Sequence, residues 1–81
     1  MLESKDSLVT RFLDLSTRFQ ASPDPITGID FDDAVVTLKR YVLTQMKDED
    51  LATKLGQFQK LIRARDCQSV AELTHEVQAR L

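Results

Sequence analysis

The apolar residues of this chain recur at intervals of three and four, in four separate groups. They are Leu8, Phe12, Leu15 and Phe19; Phe31, Val35, Leu38, Val42 and Met46; Leu51, Leu55, Phe58 and Ile62; and Val70, Leu73, Val77 and Leu81. That spacing returns to one face of an α-helix, with its period of about 3.6 residues, whereas strand side chains alternate. Both prolines and one of the two glycines fall in Ser22-Pro23-Asp24-Pro25-Ile26-Thr27-Gly28, between the first group and the second. Proline fixes its own φ and disfavours helix in the residue before it, so this stretch reads as a loop over 21–29. An amphipathic helix has to bury its apolar face against another element. Four of them with brief connections give an all-α bundle, with helices over 5–20, 31–46, 49–65 and 70–80 in a single helical domain, 1–81.

Capping residues set the expected boundaries. Ser4 or Asp6 can accept from the free N–H groups that open the first helix, and Asp30 can do the same for the second. Were the second helix to run on, Val42 and Leu51 would lie roughly half a turn apart on one cylinder, so the apolar stripe would change faces. The polar run Lys47-Asp48-Glu49-Asp50 therefore reads as a break, with Asp48 capping the third helix. Gly56 lies inside that helix at a cost of about 1 kcal/mol relative to alanine. Ser69-Val70-Ala71-Glu72 has the Ser-x-x-Glu form of a capping box and would open the fourth. Asp14 between Arg11 and Arg18, and Glu76 four residues before Arg80, have the spacing of charge pairs along one helix face.

Composition removes several function classes. With 42% hydrophobic and 30% charged residues the chain has the makeup of a folded protein, and a formal charge of −2 argues against one that coats nucleic acid. No apolar run exceeds three residues, too short to span a bilayer. The first twenty residues carry Glu3, Lys5, Asp6, Arg11, Asp14 and Arg18, which leaves no room for a secretory apolar segment. One cysteine in 81 residues suits a reducing compartment, and the expected location is the cytoplasm. A chain of this length buries only about 60–65% of its unfolded surface, so small domains without staples often oligomerise or dock on a larger protein.

The four apolar arcs are unequal. On the first helix Val9 and Leu13 lie roughly 120° from the main stripe, and on the second Val36 and Leu43 lie about 120–130° from theirs. The third and fourth helices have narrow stripes and polar backs. The additional strips suit either central helices with neighbours on both sides or a patch used by a partner.

Chemical motifs are scarce. The chain has one histidine, one cysteine, one tyrosine and no tryptophan. Cys67, expected in the connection before the fourth helix, has no base or orienting group at a useful spacing. Glu72 and His75 have Glu-x-x-His spacing, but both point away from the Val70/Leu73/Val77 stripe, and Glu72 would be engaged in the cap, so no metal site is expected. Gly28-Ile29-Asp30-Phe31-Asp32-Asp33 echoes half of a calcium loop, yet isoleucine falls at a ligand position and the glycine is displaced. Its acids read instead as a cap and first-turn charges facing the helix dipole. From Lys54 to Arg65 there are four basic residues and no acid, with Lys60 and Arg63 on the back of the third helix. No glycine-rich phosphate loop, cofactor motif or membrane-surface helix is present.

These observations point to a non-catalytic protein–protein interaction module of the adaptor, chaperone-like or regulatory-subunit kind. It would pair with itself as a homodimer or other homo-oligomer, or dock on a larger protein, through Val9, Leu13, Val36 and Leu43. Lys60 and Arg63 form a secondary charged surface. The alternative is a regulator that binds nucleic acid through that same basic face.

Overall fold

The computed structural model describes residues 4–81; Glu3, one of the charges counted above, lies outside them. Helix α1 runs over Lys5–Ala21 and opens on Ser4, whose hydroxyl accepts from the Ser7 N–H at 3.2 Å. Helix α2 runs over Pro25–Tyr41, so it starts at Pro25 rather than at the expected Phe31, and the loop shrinks to Ser22–Asp24. The reason lies in Pro25 itself. At the first position of a helix its missing N–H is one that would have no partner anyway, and its fixed φ is already helical. Asp24, rather than Asp30, is the cap, accepting from the Thr27 N–H at 2.8 Å. Asp30, Asp32 and Asp33 consequently lie inside α2, beyond its first turn, and no calcium-type loop exists between α1 and α2.

The second helix loosens before it ends. Val42–Met46 form a π turn that carries α2 to the expected end at Met46. Lys47 then turns into the left-handed region at φ 53°, and the Lys47 and Asp48 N–H groups both reach the Val42 carbonyl. Asp48 caps the next helix as expected, accepting from the Leu51 N–H at 3.0 Å. The single helix expected over 49–65 is divided into α3 (Glu49–Gly56) and α4 (Phe58–Ala64). At the joint the Gln57 N–H also bonds the Lys54 carbonyl, a tighter i−3 turn next to the flexible Gly56, while Gln57 itself keeps right-handed helical angles.

Helix α5 spans Cys67–Arg80 and is capped by Asp66, not by the Ser69 box. The Asp66 carboxylate accepts from both the N–H (3.1 Å) and the hydroxyl (2.8 Å) of Ser69, so Ser69 serves as a donor in the first turn. Glu72 is left exposed, and Cys67, expected in a connection, is the first residue of the helix.

All four phenylalanines of the chain meet in one buried cluster that ties α1, α2 and α4 together. Phe12 lies 5.4 Å from Phe58 and 5.9 Å from Phe31 between ring centres, and Phe31 lies 5.5 Å from Phe58 and 5.7 Å from Phe19. Leu38, Leu51, Leu55, Val70 and Val77 extend this core toward α3 and α5. Between α1 and α5 a polar pair is buried as well: the Ser16 and Thr74 hydroxyls are 2.7 Å apart, and the Gln20 amide donates to Ser16 at 3.0 Å. Satisfied in this way, the pair avoids the penalty of an unpartnered buried hydroxyl.

Ion pairs tie helices together more than they brace single ones. Of the expected local pairs only Arg18–Asp14 forms, at 3.1 Å. Arg11 reaches across to Asp33 of α2 at 3.0 Å, Glu76 pairs with Lys54 of α3 at 3.6 Å, and Arg80 holds both Asp48 and Asp50. The Arg80 guanidinium is pushed above its ordinary pKa by its hydrogen bond to Asp50, with the charge of Asp48 adding to the effect. Among the described residues there is no strand, and no helix is long and apolar enough to cross a membrane.

Candidate functional site

The extra turns at the start of α2 change what that helix shows to solvent. Ile26 and Ile29, read from the sequence as loop residues, stand on the helix with 75% and 70% of their surface exposed. Val36 and Leu43 follow at 36% and 43% exposure. These four are the large hydrophobic residues most open to water among the described residues, and all lie on α2 or its π turn. Ile29, Val36 and Leu43 are spaced by seven, so they form a strip along one side of the helix, about 21 Å long at 1.5 Å per residue. Asp33 and Arg40 run exposed along one edge of it, whereas on the other edge Asp32 turns its carboxylate inward and the Lys39 ammonium reaches Gly56 of α3.

Val9 and Leu13, grouped with Val36 and Leu43 from sequence, stand elsewhere. Both are half-buried and packed against the core. They line a shallow recess beside Lys5, Gln78 and Leu81, where the Lys5 ammonium donates to the Leu81 backbone oxygen at 2.8 Å. That side of α1 adjoins α5, whereas Arg11 on its other side reaches α2. The structure therefore brings Val36 and Leu43 into one exposed strip with Ile29, and it does not bring Val9 and Leu13 to them.

A cleft of about 310 Å³ opens where the end of α1, the start of α2 and α4 meet. Phe19, Gly28 and Ile62 line its apolar part; Asp24, Asp32, Arg63 and Arg65 line its charged part. Gly28 lets the helices approach closely there, since a Cβ would lie 3.3 Å from Ile62 Cγ2 and 3.5 Å from Phe19 Cε1. One carboxylate oxygen of Asp32, Oδ1, is buried with no hydrogen-bond partner. The Asp24 carboxyl is held below the usual carboxylate range, chiefly by the Thr27 backbone N–H. Asp66 is lowered likewise, first by the Ser69 hydroxyl and then by the Ser69 N–H.

Lys60 and Arg63 are exposed on α4, and neither they nor Arg65 has an ion-pair partner among the described residues. Lys54, the remaining base of that run, is engaged with Glu76. Cys67 lies against α1, its thiol donating weakly to the Phe19 carbonyl at 3.9 Å, and His75 is exposed on α5. Among the described residues no three His, Cys, Asp or Glu side chains converge as a metal site would require.

The signal for Ile26 and Ile29 was present in the sequence. Ile26, Ile29 and Asp33, then Val36, Arg40 and Leu43, continue one helical spacing, and only the reading of Pro25 as a breaker concealed it. Comparison with protein-family models, with curated proteins and with solved structures finds no match to this chain, so its reading rests on these residues.

Proposed function

We propose that this chain is a non-catalytic protein–protein interaction module that docks through the outer face of α2. The observation that carries this reading is the concentration of exposed large hydrophobics, Ile26, Ile29, Val36 and Leu43, on one helix of a small protein. The inner face of α2 is fully engaged by Phe31, Val35, Leu38 and Val42, while the outer residues, Ile26 and Ile29 above all, keep much of their surface in water. A contiguous apolar face kept in water is ordinarily a binding surface. Val9 and Leu13 support it from within by fixing α1 against the core.

Cross-linking in extract of the source cells, with wild type beside a Val36→Asp/Leu43→Asp variant, tests the reading. Proteins captured by the wild type and lost by the variant support it. Identical captured sets from a variant that keeps its helical spectrum overturn it.

A second reading is favoured by one observation, the unpaired trio Lys60, Arg63 and Arg65. In it the α4 face binds nucleic acid, and the repulsion of phosphate by Asp48 and Asp50 is partly offset by Arg80. Binding to a duplex oligonucleotide that falls steeply with salt, and is lost in Lys60→Glu/Arg63→Glu, would support it. Absence of binding at low salt removes it.

A further inference from the structure

The strip on α2 is nearly palindromic in both shape and charge. Ile29 and Leu43 stand seven residues to either side of Val36, Asp33 and Lys39 stand three to either side, and Asp32 and Arg40 stand four to either side. Acids thus precede the centre and bases follow it. We propose that the occupant of the α2 face is a second copy of this chain, packed antiparallel about a two-fold axis through Val36. This rests on the docking reading above and names its partner.

The geometry follows from the axis. In an antiparallel pair each edge of one helix faces the same edge of the other, and a residue n positions before the centre meets one about n positions after it. Ile29 then packs on Leu43 of the second copy, and Val36 packs on its own equivalent. On one edge Asp33 faces Arg40 of the second copy, about 1.5 Å apart along the helix axis, one residue's rise. Asp32 and Lys39 take no part, since the Asp32 carboxylate turns into the cleft beside α4 and the Lys39 ammonium lies against Gly56. Asp33 is well placed for this, since its side chain remains 66% exposed while it holds Arg11. Arg40 is exposed and has no ion-pair partner among the described residues. A parallel pair would instead set the Asp33/Arg40 edge against the opposite edge of the second copy and leave both charges unmatched, so the charges favour the antiparallel orientation.

A single helix-on-helix contact of this length falls at the small end of protein interfaces, below about 1,200 Å² in total. The dimer is accordingly expected to dissociate on dilution. Sedimentation velocity over about 10 μM to 1 mM, the affinity range of small interfaces, reads it directly.

A concentration-dependent rise from the 9.2 kDa monomer toward twice that mass is the expected result. Val36→Asp, which sets two like charges together at the axis, should weaken association about tenfold or more. Arg40→Asp should weaken it too, and adding Asp33→Arg should restore it, because the swapped edge is again complementary to itself. Circular dichroism and a thermal melt on each variant separate loss of pairing from loss of fold.

A monomer at every concentration overturns the two-copy arrangement, as does a dimer indifferent to Val36→Asp. A dimer weakened by Arg40→Asp and not restored by the double change overturns the antiparallel register. None of these touches the docking reading itself, which falls only if wild type and variant capture the same proteins.

Discussion

Helices α1 and α2 are each 17 residues long and pack side by side, each with a main apolar stripe and an additional apolar strip, but the two strips meet different fates. That of α1, Val9 and Leu13, is half-covered because α5 lies along the same side, fixed there by the Ser16–Thr74 hydrogen bond and by Lys5 reaching Leu81. The strip of α2 has no such neighbour. Helices α1, α3 and α4 cover its inner and lateral sides, and the Ile29–Val36–Leu43 side stays partly open to water, most at Ile29. An amphipathic arc wider than its neighbours can cover is either completed by the bundle or left as a surface, and the number of adjacent helices decides which.

The sharpest way to break this comparison is to cut the inner and outer faces of α2 separately. Phe31→Ala removes a fully buried ring from the centre of the aromatic cluster and should cost about 3–5 kcal/mol of folding stability. For so small a domain that is a large part of the total. Val36→Asp, five residues along the same helix and 36% exposed, should cost far less, about 1 kcal/mol of monomer stability. Urea unfolding of both variants at low protein concentration checks the pair. A cost for Val36→Asp close to that of Phe31→Ala would mean that the strip belongs to the fold.

The two strips can then be compared with one substitution. Leu13→Ala removes side-chain surface that is half-covered and should cost about 1 kcal/mol, roughly half of what full burial of a leucine is worth. Leu43→Ala, at a site 43% exposed, should cost less than that in the monomer and should in addition weaken self-association. A single denaturation series with sedimentation on the same samples measures both quantities. Equal stability losses at the two sites would erase the distinction between a completed arc and an open one.

A smaller difference is expected in acid. Helix α1 is capped by a serine, which does not titrate, whereas α2 and α5 are capped by Asp24 and Asp66, both with lowered pKa values. A carboxylate whose folded pKa lies below its unfolded one stabilises the fold above the unfolded value, near 4, and that contribution is lost as pH falls through the folded value. The first turns of α2 and α5 should therefore open before that of α1 below about pH 4. Asp24→Asn and Asp66→Asn should flatten this acid limb, because asparagine caps without titrating. Amide hydrogen exchange resolved by helix reads the order of opening; simultaneous loss of all three turns would contradict it.

How far this arrangement was legible in the sequence differs from helix to helix for physical reasons. The main stripes were legible because burial enforces the 3.6-residue period. Fourteen of the seventeen residues that define them are buried, and Met46, Ile62 and the final Leu81 are half-covered only where a helix end or cleft opens. The break at Lys47–Asp48 was legible because the phase of the stripe changes there. Starts of helices were less so. Pro25 can end a helix or begin one, and Asp24, Asp30, Asp66 and Ser69 all have capping chemistry, so the choice among them depends on where tertiary packing needs the helix to begin. The ion pairs were least legible: Arg11, Glu76 and Arg80 each had a local partner at helical spacing and took a distant one. The candidate face shared that limit. Val36 and Leu43 could be found from their phase, but Ile26 and Ile29 joined them only once α2 was seen to start at Pro25.

The least expected change, and the one that most directly probes what α2 packs against, is at the glycines. Alanine in place of glycine favours a helix by about 0.5–1 kcal/mol, because the unfolded chain has less freedom to lose. At Gly56 the new methyl would meet the end of the Lys39 side chain at 3.2 Å, and a flexible lysine tip moves aside, so Gly56→Ala should keep most of that gain. At Gly28 the methyl would come within 3.3 Å of Ile62 Cγ2 and 3.5 Å of Phe19 Cε1, inside the wall where α2 meets α4 and α1. Neither neighbour has a free end to swing away, so the propensity gain there should be cancelled or reversed. Thermal melts of the two variants give the difference directly. If Gly28→Ala stabilised as much as Gly56→Ala, the inner side of α2 would be loosely held, and the contrast between its packed face and its open one would lose its basis.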